Sequence, residues 1–85
     1  MTANDPLLLY TRSGCHLCEH AMNLLETLGQ TWEAVDIEGD EALESYYGLT
    51  IPVVRCPAHE KELHFPFGEA QLKRFLEECS LLVPG

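Results

Sequence analysis

The apolar positions along the chain come in two rhythms. Leu7-Leu8-Leu9-Tyr10 is an unbroken apolar run too short for a helix, which predicts a strand buried on both faces. From Leu17 the spacing changes. Leu17, Cys18, Ala21, Met22, Leu24, Leu25 and Leu28 recur at helical intervals, with Glu19, His20, Asn23 and Glu26 opposite them. Ser13 and Gly14 are the expected N-terminal caps of this helix, and Gly29 its stop. Met22 then reads as core filler and His20 as a solvated side chain.

Thr31–Ile37, rich in β-branched and aromatic residues, predicts a second strand. Strand, helix and strand in this order predict a right-handed crossover between parallel strands. Asp40 is placed to cap a second helix, with Ala42, Leu43, Tyr46 and Tyr47 as its apolar stripe and Gly48 at its end. Leu49–Cys56 reads as a loop entering a third strand. Pro57–Lys61 reads as a turn, and Glu62–Phe65 as a fourth strand antiparallel to the third and ended by Pro66. A last helix is expected over Gly68–Glu78, with Leu72, Phe75, Leu76 and Cys79 on its apolar side. Met1–Asp5 reads as a frayed polar start and Leu81–Gly85 as a short tail. The predicted order is β-α-β-α-β-β-α in an α/β domain spanning residues 1–85.

Charge narrows the partners. The formal net charge is −9. Residues 1–44 carry nine acids and one base, whereas residues 45–85 carry five acids and four bases. Without a basic stripe to neutralise phosphates, nucleic-acid binding is not expected. An acidic surface serves solubility and steers toward basic partners. No apolar run approaches a membrane span, and no basic segment followed by a long apolar run marks a signal peptide. The expectation is a cytoplasmic monomer. In that compartment the four cysteines are not read as a structural disulfide framework.

The chemistry concentrates where the first strand meets the first helix. Cys15 and Cys18 stand three apart, so on a helix both sulfurs lie on one face. The free N–H groups and dipole of a first turn favour a thiolate there. Such a pair after a strand reads as a dithiol/disulfide redox site. A zinc site is the alternative: Cys56-x-x-His59 would supply a second half, and His16 and His20 add further ligands. Haem attachment would need His after the second cysteine, and Glu19 stands there.

Three stretches also resemble the glutaredoxin-like members of the thioredoxin superfamily. Tyr10-Thr11-Arg12-Ser13-Gly14-Cys15-His16-Leu17-Cys18 is similar to that family's Cys-x-x-Cys opening. Tyr47-Gly48-Leu49-Thr50-Ile51-Pro52-Val53-Val54 is similar to its segment with a cis-proline before a strand, and Phe67-Gly68-Glu69 to its glycine turn. The resemblance implies a thioredoxin-like fold, with a four-stranded mixed sheet flanked by helices. It also implies a cis Pro52 facing the cysteine pair, which moves zinc, already second to redox on the motif alone, further behind it.

The implied activity is thiol-disulfide exchange on protein or glutathione mixed disulfides. Cys15, nearer the helix start, is the expected nucleophile and Cys18 the resolving thiol. No bound cofactor or metal is expected. Glutathione or a separate reductase would restore the dithiol. The resemblance further implies that Arg12 and the Gly68 helix start meet glutathione carboxylates, and that the Ile51 backbone pairs with the peptide. His16, where the family commonly has proline, would support a nearby thiolate when protonated. Phe67 and Ala70 depart from the family's glycines and acid at the last helix start, which sets glutathione against a protein disulfide as substrate. A binding module of the same fold without turnover is the reading from another class, and a small zinc module the third.

Overall fold

A computed structural model describes residues 6–82, so the polar start over 1–5 and the end of the tail over 83–85 lie outside the described residues. The elements follow the expected order: β1 (Leu7–Thr11), α1 (His16–Thr27), β2 (Trp32–Asp36), α2 (Glu41–Tyr47), β3 (Val53–Cys56), β4 (Lys61–His64) and α3 (Glu69–Glu78). The sheet order is β2-β1-β3-β4. β1 and β2 are parallel, with Thr11 opposite Asp36. β1 pairs antiparallel with β3, and β3 with β4. This is the mixed four-stranded sheet of the thioredoxin-like fold.

Each strand alternates its side chains between two faces, and two apolar clusters form accordingly. Leu7, Leu9, Val54 and Cys56 meet Ala21 and Leu25 of α1 and Leu72, Phe75 and Leu76 of α3. On the other face Tyr10, Ile37 and Val53 meet Leu43 and Tyr47 of α2. The first cluster is the larger, because two helices cover that face and one covers the other.

Several local expectations are corrected. Cys15, not Ser13 or Gly14, caps α1. Gly14 instead makes the turn before the cap, at φ +73°. Tyr46 leaves the predicted stripe of α2 and is 78% exposed, because a helix of seven residues puts only Leu43 and Tyr47 against the sheet. Leu17 is likewise exposed. β4 starts one residue early, at Lys61, because Lys61 is already paired with Cys56 across the hairpin. The Ile51–Pro52 bond is cis as the resemblance implies, and Phe65–Pro66 is cis as well.

Candidate redox site

β1 ends at Thr11, and the chain turns through Arg12–Gly14 to place Cys15 at the head of α1. Cys15 has extended backbone (φ −92°, ψ 103°), as an N-cap residue does. Its Sγ accepts the N–H of Cys18 at 3.1 Å. The cap position thus holds a sulfur where an oxygen usually sits, with a backbone donor aimed at it. Cys15 and Cys18 are joined as a disulfide, their Cα atoms 5.2 Å apart. The two sulfurs differ in access: Cys15 is half-buried, whereas Cys18 is 1% exposed. An open cleft of about 370 Å³ reaches both, lined also by Arg12, Glu19, Met22, Ala34 and Asp36. A roomier cleft of about 540 Å³ between β4 and α3 contains no cysteine, so chemistry rather than size marks the first one.

The other expected site residues divide into Arg12, which lines the cysteine cleft, and His16, Ile51, Pro52 and Gly68, which do not. Arg12 lines the cysteine cleft, with its Nη2 4.0 Å from Glu44 Oε2. Its Nε is buried without an acceptor. His16 is 95% exposed on its side chain and sits 3.9 Å from Glu19. Pro52 is fully buried at the entrance to β3. Ile51 is half-buried, but its N–H donates to Tyr47 O at 3.0 Å. The amide expected to be open to a peptide is therefore engaged within the chain. Gly68 is the N-cap of α3, and its N–H donates to the Gln71 side chain at 2.9 Å. Phe67 is buried and packs near Phe65 instead of leaving a glycine-lined gap.

Cys56 and His59 stand at the other end of the sheet. They line a separate cleft with Cys79 and the start of β1, so they cannot complete a zinc site with Cys15 and Cys18. Among the described residues no three His, Cys, Asp or Glu side chains converge as metal ligands. Cys56 and Cys79 are free and buried. Burial, then a hydrogen bond with Cys56 and the charge that thiol would carry, push the Cys79 thiol up to about 12.

One polar network escaped the sequence reading. Glu62 accepts from the Tyr47 hydroxyl at 2.5 Å and from Arg55 at 2.9 Å, and meets His64 Nε2 at 3.0 Å. His64 Nδ1 is 2.9 Å from the Thr50 hydroxyl, which ties the network to the loop before Pro52. Burial pushes the Glu62 carboxyl up, but its hydrogen bonds to Tyr47, His64 and Arg55 outweigh this and hold it below the ordinary glutamate value. Burial first, and then the bond to Glu62, raise the Tyr47 phenol. Tyr47 also stacks on Tyr10 with ring centres 4.3 Å apart. Only the aromatic pair carried a signal in the sequence; the charged partners lie on two strands, β3 and β4, and meet Tyr47 of α2 through the fold alone.

Comparison with known proteins agrees with this geometry. The glutaredoxin-like domain family (DUF836) matches residues 6–77. No curated protein matches. Among solved structures, the crystal structure of the structural genomics target XcR50 from X. campestris is 41% identical with a TM-score of 0.78, covering 85% of this chain and 96% of its own. The solution structure of XcR50 gives 40% and 0.77, over 87% and 95% of the two chains. Protein Ne2328 from Nitrosomonas europaea, solved by NMR, is 29% identical with a TM-score of 0.71 and covers 88% and 98%. On the family match, the chain belongs to the glutaredoxin-like domain family.

Proposed function

We propose that the protein is a thiol-disulfide oxidoreductase that reduces protein or glutathione mixed disulfides. The observation that carries this reading is the asymmetry of the pair. Cys15 is reachable and receives a backbone N–H on its sulfur; Cys18 is one turn further in and buried. A donor aimed at sulfur favours its anionic form, as does the helix dipole. The Cys15 thiolate attacks one sulfur of a substrate disulfide, and the other leaves as a thiolate. Cys18 then attacks Cys15 Sγ, the internal disulfide closes, and the second substrate thiolate leaves. Two electrons pass from the dithiol to the substrate, and the two thiol protons end on the products. Glutathione or a reductase then restores the dithiol, in a reducing compartment such as the cytoplasm.

No helix among the described residues is long and apolar enough to cross a membrane. We read the protein as acting in monomeric form, without nucleic acid, metal or bound cofactor.

The direct test is a Cys18→Ser variant challenged with a mixed-disulfide substrate. It should accumulate a covalent adduct on Cys15, whereas Cys15→Ser should accumulate none. An intact mass that does not rise by about 2 Da on reduction of the wild type, two hydrogens for one disulfide, would refute the reading. A catalytically silent binding module would instead interconvert dithiol and disulfide yet leave added disulfides unreduced.

A further inference from the structure

The groups around the redox cleft are arranged in a way that bears on which disulfide enters. This inference rests on the oxidoreductase reading above. Glutathione carries two carboxylates and one ammonium, so its disulfide arrives as an anion. An anionic tripeptide needs free donors or cations, and both backbone donors expected to serve it are engaged. The Ile51 N–H is held by Tyr47 O, and the Gly68 N–H by the Gln71 side chain. The charge of Arg12 is offset by Glu44, 4.0 Å away, although its buried Nε keeps no acceptor.

The rest of the surround is acidic. Glu19 and Asp36 line the cleft itself. The parallel register sets Thr11 opposite Asp36, and Ile37 N–H donates to Thr11 O at 2.9 Å. The stretch that follows β2 therefore leaves the sheet beside the cysteine turn, carrying exposed Glu38, Asp40 and Glu41. Four of the five lysines and arginines lie instead on β3, β4 and α3.

We infer that the redox cleft selects disulfides borne by cationic polypeptide segments and discriminates against glutathione. A basic segment beside the scissile disulfide meets complementary charge at the cleft, while an anionic one is repelled. Between solvent-exposed groups this is a long-range attraction screened over about 8–10 Å in ordinary salt. It acts on encounter more than on the chemical step.

The test uses the full chain and a set of synthetic peptides with one disulfide and the same sequence length, flanked by lysines, by neutral residues or by glutamates, together with glutathione disulfide. The reduced protein is the electron donor in single-turnover assays. The expected order of rate constants is cationic, neutral, anionic, with glutathione disulfide no faster than the anionic peptide. The cationic advantage should be about tenfold at low salt and should shrink as ionic strength rises toward about 0.5 M. A double variant Glu38→Lys with Glu41→Lys should narrow the gap between cationic and anionic peptides. If the neutral peptide is reduced but charge makes no difference, or glutathione disulfide is fastest, the selectivity is refuted and the oxidoreductase reading stands. If neither a peptide nor glutathione disulfide is reduced by a protein shown to hold a free dithiol, the oxidoreductase reading itself falls.

Discussion

At Cys15 a sulfur takes the place that serine or aspartate oxygen holds at most helix starts, and it takes the Cys18 N–H. The residue is thus both nucleophile and cap. A serine there keeps an acceptor for the same N–H, whereas alanine keeps none. With both proteins reduced, Cys15→Ala should unfold at lower urea than Cys15→Ser, by about 0.5–2 kcal/mol. Equal midpoints would mean that the sulfur does not act as a cap. The cap was not legible in the sequence because cysteine is a poor acceptor on average, and Ser13 and Gly14 offer better chemistry two and one positions earlier.

Glu62 makes a second residue-scale prediction. Its folded carboxyl is held below the ordinary value of 4.5, so it contributes stability that is present above that value and lost as pH falls through the folded pKa. Glu62→Gln removes the charge that Tyr47, Arg55 and His64 face. At neutral pH it should therefore cost about 1.5–3 kcal/mol, as for hydrogen bonds to a charged group. The gap between variant and wild type in urea unfolding should close on acidification below the glutamate range. A gap that stayed constant with pH would assign the loss to packing alone.

At the scale of elements, α2 is the least anchored. It has seven residues, none of them buried, and its first turn depends on Asp40, whose carboxylate accepts the Leu43 N–H at 3.1 Å. A helix this short is marginal without tertiary help. Asp40→Ala should cost about 1 kcal/mol and raise amide exchange in α2 before any other element; uniform exchange across the chain would contradict this.

The helix was legible because a cap, an acidic first turn and a closing glycine fall in sequence. The reason for Gly48 was not. It sits at φ −55°, so it is not a left-handed stop. Its constraint is space: a Cβ there would stand 2.6 Å from the Glu44 carbonyl oxygen. The Arg12 guanidinium lies on the same side, which joins the end of α2 to the cysteine turn. Close approach of this kind leaves no trace in hydrophobic periodicity, whereas β1, α1 and α3 were readable from it.

On the whole molecule, the cysteines occupy opposite ends of the sheet. β1 runs from Leu7, beside the cleft of Cys56 and Cys79, to Thr11, beside the cleft of Cys15 and Cys18. Burial holds the Cys79 thiol up to about 12, so it stays protonated through the neutral range. In the reduced native protein an alkylating reagent should therefore modify Cys15 first and leave Cys79 untouched until urea unfolds the chain. Alkylation of Cys79 in the native state at neutral pH, read by peptide mass mapping, would overturn this. The buried role of Cys79 was legible from its helical spacing, but its meeting with Cys56 was not, since the two are brought together only by packing of α3 on β3.

The sheet order has one further effect. Among the described residues β2 has a neighbour on one side only, so its outer row of backbone N–H and C=O groups is open to any strand that fits. Exposed Glu33 and Asp36 stand along that strand. Two copies meeting edge to edge would bring carboxylates within reach of carboxylates, a pairing that like charges oppose. Aggregation through this edge is thereby resisted by residues that take no part in the chemistry at Cys15.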